Sequence, residues 1–217
     1  MEPILHQDDV SVDRRLRELG LSREGLIEVV LAAVTARNSC TENDPSSAPG
    51  WMSWKEGSRR LREVFRPDGF IKSNDDGVPW LVDPKNGTRF CVANTDEASG
   101  VPGRGPQQRS KKGPATDRAV MRNSAPLFEF SGIEEPSLSK SLTRQPFTTQ
   151  SWSLCIFAEG ETVRAELALP VGMSDGFFDG FLERIVIVGT GDEPFKVRVS
   201  LPDAPEDDVF DIPVSRK

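Results

Sequence analysis

Histidine, cysteine and tyrosine are scarce in this chain of 217 residues, which contains one histidine, three cysteines and no tyrosine. A Ser-His-Asp or Cys-His site needs a histidine that the fold holds in place. The single histidine, His6, stands in an N-terminal segment that we expect to be frayed. Cys40, Cys91 and Cys155 are odd in number and far apart, so we expect reduced thiols rather than disulfides. No two of these residues have the close spacing of a structural zinc site, and we expect no bound metal.

Long apolar runs are also missing. No segment approaches the roughly 18 apolar residues of a membrane span, and Asp8 and Asp9 interrupt the N-terminus where a secretory signal would be apolar. Neither a Walker loop nor a dinucleotide-binding glycine loop occurs. We therefore expect a cytoplasmic protein that has no cofactor and does not associate with membranes, and we leave its oligomeric state open.

The net charge of −7 is unevenly distributed along the chain. Residues 151–217 contain 13 acidic and 6 basic residues, whereas residues 1–150 contain 21 of each. A stretch rich in Ser, Thr and Pro precedes this acidic part. The sequence thus predicts a mixed α/β region over 1–130, a linker over 131–150 and an acidic, β-rich region over 151–217.

Hydrophobic periodicity predicts an α+β fold, with N-terminal helices and a β-hairpin followed by strands around a short helix. Apolar residues at helical spacing from Leu26 to Val34, behind a candidate N-cap at Ser22, predict a helix over 23–37. The remaining pattern predicts a hairpin over 78–92, a loop over 94–113, a short helix near 116–122, strands over 152–157, 162–169, 184–188 and 195–201, and a short helix over 175–182.

A second N-terminal helix is predicted to begin at Ser53. Ser53 and Glu56 match a capping box, and the turn sequence at Pro67 ends the pattern. Three residues of this helix share one face and are its expected core contacts: Trp54, Leu61 and Phe65. A helix, a basic helix and a hairpin follow one another here in an order similar to that of winged-helix proteins. The connection over 38–52, however, is longer than the turn of a helix-turn-helix.

Basic residues form a stripe on the second helix and a cluster in the following loop. Lys55, Arg59, Arg62 and Arg66 are spaced at i, i+4, i+7 and i+11, which places them on one narrow helical face. The second cluster, in and after the glycine-rich loop, comprises Arg104, Arg109, Lys111, Lys112, Arg118 and Arg122. Cations in such positions are suited to neutralising phosphates. The alternative is a solvated surface with Glu56–Arg60 and Arg59–Glu63 pairs, and whether the two clusters converge stays open.

The leading functional hypothesis is a non-enzymatic binding protein. It would contact nucleic acid or another polyanion through the N-terminal cations and a protein partner through the acidic C-terminal region. A subunit that acts purely by protein–protein interaction is the alternative. The segment from Ser124 to Phe128 is compatible with a docking peptide or with a short edge strand whose apolar side chains are buried.

A second alternative is a metal-dependent nuclease. Pro67-Asp68 followed by Asp83-Pro84-Lys85 resembles the motif of PD-(D/E)xK nucleases over about 20 residues. That resemblance implies that Asp68 and Asp83 bind Mg²⁺ and that Lys85 positions the attacking water. In those enzymes the second acid and the lysine stand on a strand, whereas Pro84 and the following Asn-Gly place Asp83 in a predicted turn.

Overall fold

The computed structural model of the chain describes residues 2–129 and 149–190, which form an α+β fold as predicted. The four described α-helices are α1 (Asp9–Glu18), α2 (Arg23–Asn38), α3 (Ala48–Phe65) and α4 (Pro114–Glu129). The described strands are β1 (Ile4–His6), β2 (Ile71–Ser73), β3 (Trp80–Val82), β4 (Arg89–Asn94), β5 (Ser151–Glu159), β6 (Thr162–Pro170), β7 (Met173–Ser174), β8 (Phe177–Phe178) and β9 (Phe181–Val188).

Seven of these strands form one mixed sheet in the order β1-β9-β6-β5-β4-β3-β2. The pairs β1–β9 and β4–β5 are parallel, and the other neighbours are antiparallel. Strand β4 is in register with β5 from the Arg89–Ser151 pair to the Asn94–Ile156 pair. The described strands of the two predicted regions are therefore neighbours in one sheet. The predicted linker over 131–150 lies almost wholly outside the described residues, as do the strand predicted at 195–201 and the acidic tail.

Helices α1, α2 and α3 cover one face of the sheet. Alternate residues of β5, namely Trp152, Leu154 and Ile156, are buried in the core that these helices complete. The close approach of α2 to α3 depends on Gly25, where an added Cβ would lie 2.7 Å from a ring carbon of Phe65. The main hydrophobic core thus lies between three helices and the centre of the sheet.

The opposite face of the sheet is covered by α4, by the loop over 95–113 and by the β7–β8 hairpin. Val120 of α4 packs with Cys155, Ala168, Phe178 and Phe181 in a second, smaller core cluster. Because side chains alternate along a strand, Cys155 faces this side while its neighbours Leu154 and Ile156 face the helices. The molecule therefore has helices on both faces of its sheet.

Several predicted elements are confirmed. Helix α2 matches the predicted range 23–37, and the Ser22 hydroxyl accepts a hydrogen bond from the Gly25 N–H at 3.2 Å. The β3–β4 hairpin spans 80–94, close to the predicted 78–92, and the strands predicted at 152–157, 162–169 and 184–188 belong to β5, β6 and β9. The hairpin is part of a seven-stranded sheet, so the similarity to the winged-helix order of elements does not extend to the fold.

Other predicted boundaries are wrong. Helix α3 begins at Ala48 rather than Ser53, because Pro49 suits a first helical turn, and Ser53 is buried in the helix interior. The segment predicted as a helix over 175–182 instead contains the β7–β8 turn, strand β8 and the start of β9, because Asp175 and Gly176 both have positive φ and reverse the chain.

The segment from Ser124 to Phe128 is helical, so its backbone is neither an extended docking peptide nor an edge strand. The helix predicted near 116–122 is part of this longer helix α4. His6 is not frayed either: it lies in β1, with Nε2 3.0 Å from Glu183 Oε1.

Candidate anion-binding groove

The four predicted cations of α3 lie together along one groove between this helix and the strands β2 and β3. The groove has a volume of about 390 Å³. Its lining residues are Trp54, Lys55, Ser58, Arg59, Arg62, Glu63, Arg66, Lys72 and Pro79. Five of these side chains carry a positive charge and one carries a negative charge.

Trp54 forms part of the wall of the groove, although the sequence predicts it as a core residue. Leu61 and Phe65 are buried as predicted, whereas Trp54 is only half-buried. Trp54 and Pro79, the residue directly before β3, line the groove together. An aromatic side chain therefore stands among the cations of α3.

The N-terminal half of the stripe is neutralised by neighbouring carboxylates. Glu56 lies 2.6 Å from Lys55 Nζ and 3.0 Å from Arg59 Nε. Arg59 also forms the predicted pair with Glu63 at 3.4 Å. The predicted Glu56–Arg60 pair is replaced, because Arg60 contacts Glu28 and Glu63 instead.

The C-terminal half of the groove has the opposite character. Arg62, Arg66 and Lys72 form no ion pair with any carboxylate of the described residues. Arg62 is held in place by neutral acceptors, since Nε donates to the Trp80 carbonyl at 3.3 Å and Nη2 donates to Asn74 Oδ1 at 2.8 Å and to the Ser73 carbonyl. Burial lowers the pKa of Arg62 from its usual value, but a guanidinium stays protonated in proteins. Three cations without acidic partners thus meet at one end of the groove.

Ser58 lies in the same groove and is 6% exposed. Its Oγ has no hydrogen-bond partner among the described residues. A buried hydroxyl without a partner is unfavourable and uncommon in native proteins. The Ser58 hydroxyl is thus a buried polar group that no described residue satisfies.

The second basic cluster does not converge with the groove. The Lys112 backbone N–H donates to the Gly176 carbonyl at 2.9 Å, next to the β7–β8 hairpin, and Cys91 packs with α4 on this same face of the sheet. Gly57 of α3 packs on Val92, which neighbours Cys91 on β4 and so faces the opposite side of the sheet. The two predicted basic clusters lie on different faces.

Within the second cluster, three of the six predicted cations have acidic partners, and one of them is Arg118, which lies 3.1 Å from Asp76. Arg104 lies 3.3 Å from Glu97, and Arg109 lies 2.8 Å from Glu159 with its guanidinium 5.4 Å from the ring centre of Phe157. Lys111 is exposed. These cations are dispersed over the loop and α4, and they line no common groove with α3.

Five residues that line the groove were not predicted as binding residues: Trp54, Ser58, Glu63, Lys72 and Pro79. Lys72 stands on β2, a strand of three residues that the sequence pattern did not reveal, and Trp54 was assigned to the core. Trp54 directly precedes Lys55 in the sequence, which is the only local signal for its place among the cations. Lys72 has no such signal, because its place beside α3 depends on strand pairing.

The residues that resemble a nuclease motif occupy turns. Asp83 Oδ1 accepts a hydrogen bond from the Lys85 backbone N–H at 2.9 Å, and the Asp83 carbonyl accepts one from Gly87 N–H at 2.8 Å. Asp68 ends an exposed 3₁₀ turn. In the part of the chain that the structure describes, no group of three or more His, Cys, Asp or Glu residues could hold a metal ion. The geometry favours the structural interpretation of Asp83.

Comparison with protein-family models, curated proteins and solved structures gave no match to this chain. Across residues 2–129 and 149–190, none of the helices has both the length and the apolar character that a bilayer crossing requires.

Proposed function

We propose that this protein is a non-enzymatic binding protein that holds a polyanion, and specifically nucleic acid, in the groove along α3. The observation that carries the proposal is the meeting of Arg62, Arg66 and Lys72 in one groove without an acidic partner among the described residues. Cations that lack such partners are available to neutralise phosphates, whereas Lys55 and Arg59 must first release Glu56.

The origin of these three cations supports a binding role. Arg62 and Arg66 come from the end of α3, and Lys72 comes from β2, so their proximity is created by the fold. Arg62 is oriented in advance by three acceptors, which reduces the entropy lost when a ligand binds. On a chain of net charge −7, a positive groove also directs an approaching anion to one place.

The test is a fluorescence-anisotropy titration of a labelled 20-nucleotide single strand and of a duplex of the same length, at 50 and 150 mM salt. We expect binding that weakens as salt rises. The double variant Arg66→Ala/Lys72→Ala should weaken it at least tenfold and reduce the log–log salt slope by about 1.4 on the single strand or about 1.8 on the duplex.

The matched control is Arg104→Ala/Lys111→Ala, which removes the same charge from the other face of the sheet. It should leave affinity within about twofold of the wild type. Absence of binding by the wild type at 50 mM salt would refute the proposal. Loss of affinity in the control alone would place the binding site on the other face.

An acidic protein partner is the alternative ligand for the same cations. The acidic excess that motivates a C-terminal partner surface lies in large part at 192–211, outside the described residues. The interaction-subunit hypothesis predicts no affinity for either oligonucleotide at 50 mM salt, so the same titration distinguishes the two functions.

A further inference from the structure

We propose that the ligand of the α3 groove is a single-stranded nucleic acid, with one base stacked on Trp54 and a neighbouring phosphate held by Arg62, Arg66 and Lys72. This inference rests on the proposed function and names the class of ligand. A site for polyanions in general needs only cations. The additional feature of this groove is an aromatic wall, which Trp54 provides.

The indole of Trp54 is partly exposed and lines the groove. Leu61 and Phe65 of the same helix are buried in the core, whereas Trp54 lines the groove together with Pro79. Every nucleobase has an apolar face that stacks on an aromatic ring regardless of sequence. Such a contact has no counterpart in a ligand that consists of phosphate alone.

The order of the groove residues along the helix suits a ligand in which bases alternate with phosphates. Trp54, Ser58 and Arg62 form a row at i, i+4 and i+8, so they follow one another along one side of α3. The helical rise separates the positions of Trp54 and Arg62 by about 12 Å along the axis. Ser58 lies between them, and its buried Oγ has no hydrogen-bond partner among the described residues.

Trp51 extends the aromatic part of this surface by one turn. It is 56% exposed, and Lys55 Nζ lies 5.9 Å from its ring centre. The aromatic residues thus lie toward the beginning of α3, where the cations are already neutralised by Glu56, and the unpaired cations lie toward its end. A base is therefore favoured near the N-terminal end of α3, and a phosphate is favoured near its C-terminal end.

A duplex fits this arrangement poorly. Its bases are stacked inside the helix, and presenting one to Trp54 requires extrusion at a cost of a few kcal/mol. A single strand has unpaired bases that reach an aromatic side chain without that cost. The order of Trp54, Ser58 and Arg62 therefore favours a single strand over a duplex.

The experiment combines intrinsic fluorescence with affinity measurements on the full chain. Trp80 and Trp152 are 3% and 0% exposed, so a bound ligand should quench only Trp51 and Trp54 among the four tryptophans. The probes are a 12-nucleotide oligothymidylate, its RNA equivalent, a 12-base-pair duplex and an inorganic polyphosphate of 12 phosphates. The variants are Trp54→Ala, Trp54→Phe, Trp54→Leu, Trp51→Phe and Ser58→Ala.

We expect the single strands to bind more tightly than the duplex and the polyphosphate, and to quench emission in the wild type and in Trp51→Phe. Trp54→Ala should weaken single-strand binding about tenfold or more, because a stacked base is lost, while the polyphosphate affinity stays within twofold. Trp54→Phe should retain most of the affinity. Trp54→Leu keeps the apolar bulk without an aromatic face, and it should lose as much affinity as Trp54→Ala. Trp54→Leu thereby controls for a folding defect in Trp54→Ala.

Ser58→Ala removes a buried hydroxyl that has no hydrogen-bond partner among the described residues, so it should leave both the affinity and the thermal stability nearly unchanged and serves as a control within the groove. Equal affinity for polyphosphate and oligothymidylate, with no effect of Trp54→Ala or Trp54→Leu, would refute the stacking inference and leave polyanion binding intact. Tighter binding of the duplex would refute it as well. Failure of every probe to bind at 50 mM salt would refute the proposed function itself.

Discussion

The Glu166 carboxylate and the Arg184 guanidinium form a bidentate ion pair, with Oε1 2.8 Å from Nε and Oε2 2.6 Å from Nη2. The two side chains are 0% and 2% exposed. Glu166 Oε2 also accepts a hydrogen bond from Gly100 N–H at 2.7 Å, and Arg184 Nη2 donates to the Val101 carbonyl at 3.1 Å. The pair therefore connects β6 and β9 to the loop that follows β4.

Removing one member of this pair should be strongly destabilising. Glu166→Ala leaves a buried guanidinium without its counter-charge, and we expect a loss of about 3–5 kcal/mol in the free energy of unfolding. Urea denaturation followed by circular dichroism measures it. The control is Glu166→Leu/Arg184→Met, which replaces both charges by apolar groups and should cost clearly less than the single variant. A loss below about 1 kcal/mol in Glu166→Ala would contradict the burial of this pair.

The contact between α2 and α3 gives a second prediction, at Gly25. An added Cβ there would lie 2.7 Å from the Phe65 ring and 2.9 Å from the Ser22 hydroxyl, which is the N-cap of α2. Gly25→Ala should therefore reduce stability by about 1–3 kcal/mol through overpacking, despite the better helix propensity of alanine.

Gly50 of α3 serves as the matched control for Gly25. Its added Cβ would have no neighbour closer than Asn94 Nδ2 at 3.8 Å. Gly50→Ala should leave stability unchanged or raise it by up to about 1 kcal/mol. Equal effects of the two substitutions in thermal denaturation would show that helix propensity, rather than contact with Phe65, determines the result.

The three thiols should differ in reactivity. Burial raises the pKa of both Cys91 and Cys155, with nearby Glu166 adding to the effect on Cys155, whereas Cys40 is partly exposed. The thiolate is the reactive form, so at pH 8 iodoacetamide should alkylate Cys40 first. Mass spectrometry should show one modification in the native protein and three in 8 M urea. Rapid modification of Cys155 in the native protein would be incompatible with this structure.

The sequence predicts those parts of the fold that depend on local signals. Helix α2 is recognisable because its apolar residues repeat at helical spacing behind Ser22, and the β3–β4 hairpin because its turn contains Asn86 and Gly87. The start of α3 is mispredicted because Ser53 and Glu56 imitate a capping box inside a longer helix. The pairing of β4 with β5, which unites the sheet, connects residues about 60 positions apart and has no local signal.

The candidate site is predictable to a similar extent. Helical periodicity correctly gathers Lys55, Arg59, Arg62 and Arg66 on one face, since the geometry of a helix is regular. It cannot tell that Glu56 neutralises the first two while the last two have no described acidic partner. That distinction depends on which side chains the fold brings next to one another.

Substitutions of Arg62 and Arg66, which form no ion pair with a described residue, should distinguish an effect on binding from an effect on stability. Arg62→Ala removes the side-chain donor to the Trp80 and Ser73 carbonyls, and we expect it to cost about 1–3 kcal/mol of stability as well as affinity. Arg66→Ala removes no side-chain hydrogen bond or ion pair with a described residue and should change stability by less than about 0.5 kcal/mol. Each substitution should lower the salt slope on a single strand by about 0.7, because each removes one phosphate contact.

Arg62→Lys provides the control for charge. It keeps the positive charge but not the planar fork that reaches Trp80 and Asn74 together, so stability should fall nearly as far as in Arg62→Ala while much of the salt slope is retained. Urea denaturation and anisotropy titrations of the three variants give both quantities. If Arg66→Ala proves as destabilising as Arg62→Ala, Arg66 has a structural partner, and the groove then has one fewer cation available for a ligand.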